Sequence, residues 1–225
     1  MTCTCALAVT ALLLAPELPL TGRLITGPPP QVELRNTGDR AVTAWSFVVI
    51  SPTQTGTHRE VHSADVYLSD VTRGLPQSNA HLDWLRPGQS RAIPVDAAPP
   101  GASVQIVALV LEDGTAFGEP DTVASFFAQR AAERDELKKV VDTFNASLQA
   151  KRGAAALEEL QQRFSASAGA QESVPHRSAR EAVGSWLQKA KEGSEDQVEQ
   201  AVRSYVAFVT RQYDAAVKHA VRKGG

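Results

Sequence analysis

The chain has 225 residues, a formal net charge of -2 and 43% hydrophobic residues. That length accommodates one large core or two smaller ones, and the near-neutral charge gives no concentrated basic stripe of the kind nucleic acid requires. Most of the 13 prolines precede residue 121, whereas the stretch beyond it is rich in Ala, Glu, Gln, Lys and Arg, so an α+β chain with sheets first and helices second is expected.

Residues 1–20 read as a signal segment. An apolar run from Ala6 to Ala15 has the length of a signal-peptide core and is too short to span a bilayer. Export is the expectation, with a cytosolic chain as the alternative, and no integral membrane span is expected. Cys3 and Cys5 both fall in this segment and are too close in sequence for an ordinary mutual disulfide.

Strand signals follow from Thr21. Gln31 to Arg35 alternates, with Val32 and Leu34 on one face and Glu33 and Arg35 on the other, the pattern of a half-buried strand. Asn36, Thr37 and Gly38 supply a tight turn. From Ala41 to Ile50, Trp45, Phe47 and Val49 share one face and Ala44, Val48 and Ile50 the other, as in a central strand covered on both sides. His58 to Leu68 is expected to be extended, and Arg73 to Ala80 to be a polar loop. Pro87 and Gly88 fit the central positions of a type II turn before a strand over Arg91 to Val95. Val104 to Leu111 is the most strand-like run, and Asp113 with Gly114 returns it as a hairpin.

Four local signatures carry a resemblance: Asn36-Thr37-Gly38, Trp45-Ser46-Phe47, Leu85-Arg86-Pro87-Gly88-Gln89 and Asp113-Gly114. With about seven short strands between turns, residues 21–120 resemble the immunoglobulin-like β-sandwich modules of bacterial cell-envelope and secreted proteins. The resemblance implies an antiparallel sandwich and transfers no catalytic residue. The inter-sheet disulfide of antibody domains has no counterpart here.

Residues 121–225 form the helical region. Val123, Phe127, Leu137, Val141, Phe144 and Leu148 fit one helical face, with Asp121 or Thr122 as cap. Leu157, Leu160 and Phe164 stripe a second helix, and a linker over about 166–175 separates two helical hairpins. Ser178 to Glu181 fits a capping box, as does Ser194 to Gln197. The helix from Ser178 would bury Val183, Trp186 and Leu187. The last helix carries Val198, Val202, Tyr205, Val209, Tyr213 and Val217 as its stripe, and a hairpin between these last two is expected.

No constellation for chemistry emerges. His58 and His62 are spaced like a helical metal pair, with Asp65 behind, yet on a strand they would stand roughly 13 Å apart. Asp65, Asp70, Asp83 and Asp113 do not have the spacing of a calcium loop or of paired glycosidase carboxylates. No Gly-x-Ser-x-Gly elbow occurs. Catalytic, cofactor-binding and metal residues are therefore assigned as none, and Trp84, beside a turn, is the candidate exposed contact residue. The expected function is a non-enzymatic extracytoplasmic binding or scaffolding protein without cofactor, meeting a protein partner or itself through the C-terminal helices. The alternative is a cytosolic interaction or oligomerisation protein working through those helices.

Overall fold

A computed structural model describes residues 18–72, 84–166, 168–169, 172–193 and 195–223. The expected signal segment before Leu18, Cys3 and Cys5, the polar loop 73–80, Asp83 and the capping serine Ser194 lie outside the described residues. The chain is α+β, with two antiparallel sheets in the N-terminal half followed by helices.

The first sheet comprises β1 (Leu20–Ile25), β2 (Gln31–Asn36) and β5 (Ser90–Pro94), in the order β1-β2-β5. The second comprises β3 (Val42–Thr53), β4 (Gly56–Asp65), β6 (Ser103–Leu111) and β7 (Ala116–Gly118), in the order β4-β3-β6-β7. A short helix α1 (Ser69–Thr72) follows β4. Alternation does what the sequence suggests: Val32 and Leu34 of one sheet meet Trp45, Phe47 and Val49 of the other in one buried cluster. On the opposite face of the second sheet, Ala44, Ala108 and Val110 lie under Val123 and Phe126. Central strand β3 is thus covered on both faces.

Two register shifts shape the second sheet. Between β3 and β6, Ser46 pairs with Ala108 while Phe47 pairs with Ile106, leaving Val107 over. The extra residue reverses the phase of β6, so Val104 and Ile106 point into the same core as Leu109 and Leu111. The carbonyl of Val107 then accepts the Glu119 N–H at 2.9 Å. Gly118 passes so close to this bulge, at φ +107°, that a Cβ would lie 2.1 Å from that carbonyl oxygen, which only glycine tolerates. The second shift leaves Thr43 over, between the pairs Val42 with Leu111 and Ala44 with Val110.

The turn signatures interlock. Asn36 is fully buried; its amide donates to the carbonyls of Arg40 and Leu85, both at 2.8 Å, and its Oδ1 accepts from Gly38 N–H at 2.9 Å. The backbones of Asn36 and the Pro87-Gly88 turn exchange further bonds, Asn36 N–H to Gln89 O and Gly88 N–H to Asn36 O, each 3.0 Å. One buried side chain therefore holds two turns that are distant in sequence, and Gly88 adopts φ +75°.

The helices are α2 (Pro120–Ala150), α3 (Gly153–Ala166), α4 (Val174–Lys191) and α5 (Glu195–His219). α2 opens with Pro120 in its first turn, where a missing N–H costs nothing. Its early residues Val123 and Phe126 seal the sheet, and its later ones Leu137, Val140, Val141 and Phe144 enter a second core with the other helices. Phe126 is buried and Phe127 only partly so, the reverse of the expected face.

Two expectations are corrected. α4 begins at Val174, not Ser178, with Ser173 preceding it and Pro175 in the first turn; the fixed φ of proline nucleates the helix a turn earlier than the Ser178 to Glu181 box. The expected hairpin of α4 with α5 is the lesser contact: Trp186 does meet Tyr205, with ring centroids 5.3 Å apart, but α5 packs chiefly on α2 and α4 on α3. The stripe of α5 is accordingly buried within the chain at Val198, Val202 and Val209, while its last expected member, Val217, is 43% exposed and Ala216 takes the inward place.

Trp45, 1% exposed at the centre of the inter-sheet core, should be the costlier of two tryptophans to truncate. Trp45→Ala is expected to lose about 3–5 kcal/mol in denaturant unfolding, and half-buried Trp84→Ala distinctly less. A reversed order would mean that the inward face of β3 is assigned wrongly.

Candidate functional site

Among the described residues, a dense group of buried ionisable side chains stands where the second sheet meets α2 and the end of α5. At its centre is Arg130, 1% exposed. Its Nε donates to Asp65 Oδ2 at 2.7 Å and one Nη to Asp65 Oδ1 at 2.8 Å, a bidentate pair. The same Nη donates to Thr43 Oγ1 at 3.1 Å, and the other to the carbonyl of His219 at 3.3 Å. The guanidinium also lies 4.8 Å from the Tyr67 ring centroid and 5.7 Å from that of Phe127, a stacking geometry that suits its planar charge.

Each partner arrives by a separate local device. Asp65 is the last residue of β4. Thr43 faces α2 beside Ala44 because the register shift in β3 adds one residue there, re-aiming a side chain that strict alternation would place elsewhere. Its hydroxyl donates onward to Val110 O at 3.2 Å. His219 closes α5, where unpaired helix carbonyls are available to a cation. Beyond the helix, Lys223 N–H donates to Gly114 O at 3.1 Å, so the segment after α5 is fastened to the β6–β7 turn as well.

Further polar contacts surround this ion pair. Tyr67 donates its hydroxyl to Glu133 Oε2 at 2.7 Å, and Trp84 donates its indole N–H to Tyr67 O at 3.3 Å. The His219 ring lies edge-on to Trp84 at 5.6 Å and tilted against Tyr67 at 5.9 Å. Burial pushes the Asp65 carboxyl up, against the two Arg130 bonds that favour its ionised form. Burial likewise raises Glu133 and Tyr67 above their usual ranges. The His219 imidazole is held down to about 4 by burial first, then by the charges of Arg130 and Lys218.

Chemically, this arrangement is a clamp. A bidentate, desolvated Arg–carboxylate pair fixes geometry, and the donors of Arg130 are directed at protein acceptors from β3, β4 and α5. Trp84, the candidate exposed contact, is half-buried against this cluster. His58 and His62 lie on β4; His62 stacks on Phe47 with centroids 4.9 Å apart and meets Glu60 at 2.6 Å, while Asp65 is engaged by Arg130. Asp113 accepts from Arg40 at 2.6 Å, and Asp70 lies 3.7 Å from Arg86. Among the described residues, no group of three or more His, Cys, Asp or Glu side chains is arranged to hold a metal ion. None of their helices is long and apolar enough to cross a membrane.

A cavity of about 530 Å³ opens at the end of the helices, over Leu148, Leu157, Val198 and Val202. Lys151, Arg152, Asp196, Glu199 and Arg203 ring it. These charges largely answer one another, with Arg203 paired to Glu199 and Lys151 to Glu159, so the rim focuses no field of one sign.

The sequence signal for Arg130 was its position. It falls three and four residues from Phe127 and Phe126, and seven from Val123, which puts a cation on the apolar face of α2.

His219 gives the cluster an acid sensitivity. Its folded-state pKa lies below the ordinary 6.5, so on acidification the unfolded chain takes a proton that the folded chain refuses. The stability tied to its neutral form is complete above the unfolded value and is lost as pH falls from 6.5 toward about 4. Asp65 and Glu133, shifted upward, act with the opposite sign, so the wild type must be compared with His219→Gln. The stability gap between the two should narrow by on the order of 2 kcal/mol between about pH 7 and about pH 4. A gap that stays constant over that range would show that His219 titrates normally.

Compared with known protein families, curated proteins and solved structures, the chain matches none.

Proposed function

We propose that the chain is a non-enzymatic extracytoplasmic protein for binding or scaffolding, built on an immunoglobulin-like sandwich that its helices brace from one side. The observation that carries this reading is the unequal covering of the two sheets. The β4-β3-β6-β7 sheet is sealed by Val123 and Phe126 of α2. Among the described residues, no helix covers the outer face of the β1-β2-β5 sheet, where Thr21, Arg23, Ile25, Glu33, Arg35 and Ala92 lie.

That face is polar, with Arg23 paired to Glu33 at 2.8 Å directly across the strands and Ile25 37% exposed beside them. Rim-like surfaces of mixed charge with single apolar residues suit reversible protein contacts. The helices, by contrast, spend their apolar stripes on one another, which weighs against a cytosolic protein that works by offering them to partners. The chemistry-bearing side chains gathered at Arg130 serve to hold the brace in place.

Export fits the layout. β1 begins at Leu20, and Leu18 is the first described residue packed against the inter-sheet core, so a cut after Ala15 removes no described part of either sheet. Fractionation of the native host with N-terminal sequencing tests this. The expected result is a chain outside the cytoplasm that starts between Pro16 and Thr21; an intact chain beginning at Met1 in the cytoplasm would contradict it.

A further inference from the structure

β4 is an edge strand: it pairs with β3 on one side, and no described strand pairs with its other side. It is also long, ten residues from Gly56 to Asp65, in continuous register with β3 from Ala44 to Thr53. The other edges are shorter, six residues at most, β1 among them. β7 has three residues and β5 ends in Pro94, whereas β4 contains neither proline nor bulge. Unpaired N–H and C=O groups along such an edge are a template for another strand.

The parity of the free groups follows from the ladder. Val66 N–H donates to Thr43 O at 2.8 Å, and the register with β3 continues without a shift from Asp65 back to Gly56. Even-numbered residues of β4 therefore turn their backbone groups toward β3, and Arg59, Val61 and Ser63 turn theirs outward. Val61 stands in the middle of these and is 65% exposed, among the most exposed large apolar residues of the described chain.

We propose that β4 pairs antiparallel with β4 of a second copy about a two-fold axis at Val61, joining the two four-stranded sheets into one continuous sheet. Self-complementarity selects this occupant. With the axis at Val61, the two valines face each other, and Arg59 of each copy stands opposite the partner's Ser63. On the sandwich side of the strand, Glu60 stands opposite the partner's His62, and His62 opposite the partner's Glu60. Within one copy these two side chains already meet at 2.6 Å, so the carboxylate and imidazole lie on the same face, half-buried at the edge. An inward charge at a sheet edge repels most incoming strands. It accepts a strand with the opposite group at the facing position, and this chain's own β4 is such a strand. Such an interface is isologous and closes at two copies.

The register makes a specific test in the full chain carrying Cys3→Ser and Cys5→Ser. Facing Cα atoms at a hydrogen-bonded antiparallel pair lie about 5.5 Å apart, within disulfide reach. On mild oxidation, Val61→Cys should cross-link to a dimer, Arg59→Cys alone should not, and Arg59→Cys with Ser63→Cys should. In sedimentation, the wild type is expected to dimerise and Val61→Pro to be monomeric with an unchanged circular dichroism spectrum. That position's N–H does not serve the β3 ladder, and proline is tolerated on a strand edge. Val61→Glu, which opposes two like charges and keeps the N–H, should weaken the dimer about tenfold or more. A wild type that stays monomeric at about 100 µM, well above what a specific interface requires, would overturn the proposal. So would a dimer that both Val61 variants leave intact, or cross-linking that ignores the register.

Discussion

A single desolvated cation organises this molecule. Arg130 is carried by α2, yet its hydrogen bonds go to β3, β4 and the last turn of α5. A guanidinium cannot shed its charge, and burying it unpaired would cost several kcal/mol. The sheet and both helices must therefore arrive together with their acceptors in place, and the position of the helices on the sheet follows from that requirement. Replacing the ion pair by matched apolar groups could be as stable; what the pair supplies is a unique docking geometry.

Much of the remaining structure is arranged to satisfy that ion. The extra residue at Thr43 turns its hydroxyl toward α2. The β4 strand ends at Asp65, two residues before Tyr67, whose hydroxyl donates to Glu133. Gly118 lets the chain turn sharply over the Val107 bulge into α2, which sets where the first helical turns meet the sheet. The contact of Lys223 with Gly114 then fixes the segment after α5 beside the same sheet. The apolar contact between Val123, Phe126 and the outer sheet face supplies the area, but an apolar patch alone could slide.

The features legible in the sequence were those with local causes. Asn36, Pro87-Gly88 and Asp113-Gly114 mark turns because their backbone preferences act within a few residues, and the period-two pattern of Trp45, Phe47 and Val49 reported their shared face. The features missed depend on pairing. A bulge at Val107 or Thr43 is decided by the partner strand, so alternation read along β6 alone misplaces Leu109 relative to Ile106. Phe126 and Phe127 are adjacent and equally apolar, and only the sheet beneath α2 decides between them. The choice of α2 over α4 as the main partner of α5 is likewise a tertiary choice among similar stripes. Arg130 was not singled out, although it falls on the apolar face of α2, and its acceptors come from residues 43, 65 and 219, far apart in the chain. Trp84 sits beside a turn, as read, and is held by Tyr67 and His219, contacts that no nearby residue announces.

The central claim is that the Arg130–Asp65 pair couples the helices to the sheet, and a double-mutant cycle measures that coupling directly. Arg130→Met and Asp65→Leu should each cost about 3–5 kcal/mol in equilibrium unfolding, because each strands a buried charge. The double replacement should cost clearly less than the two combined, with a coupling of at least about 2 kcal/mol. Single costs below about 1 kcal/mol that add independently would contradict the account, since the pair would then be a bystander to the docking of the two halves.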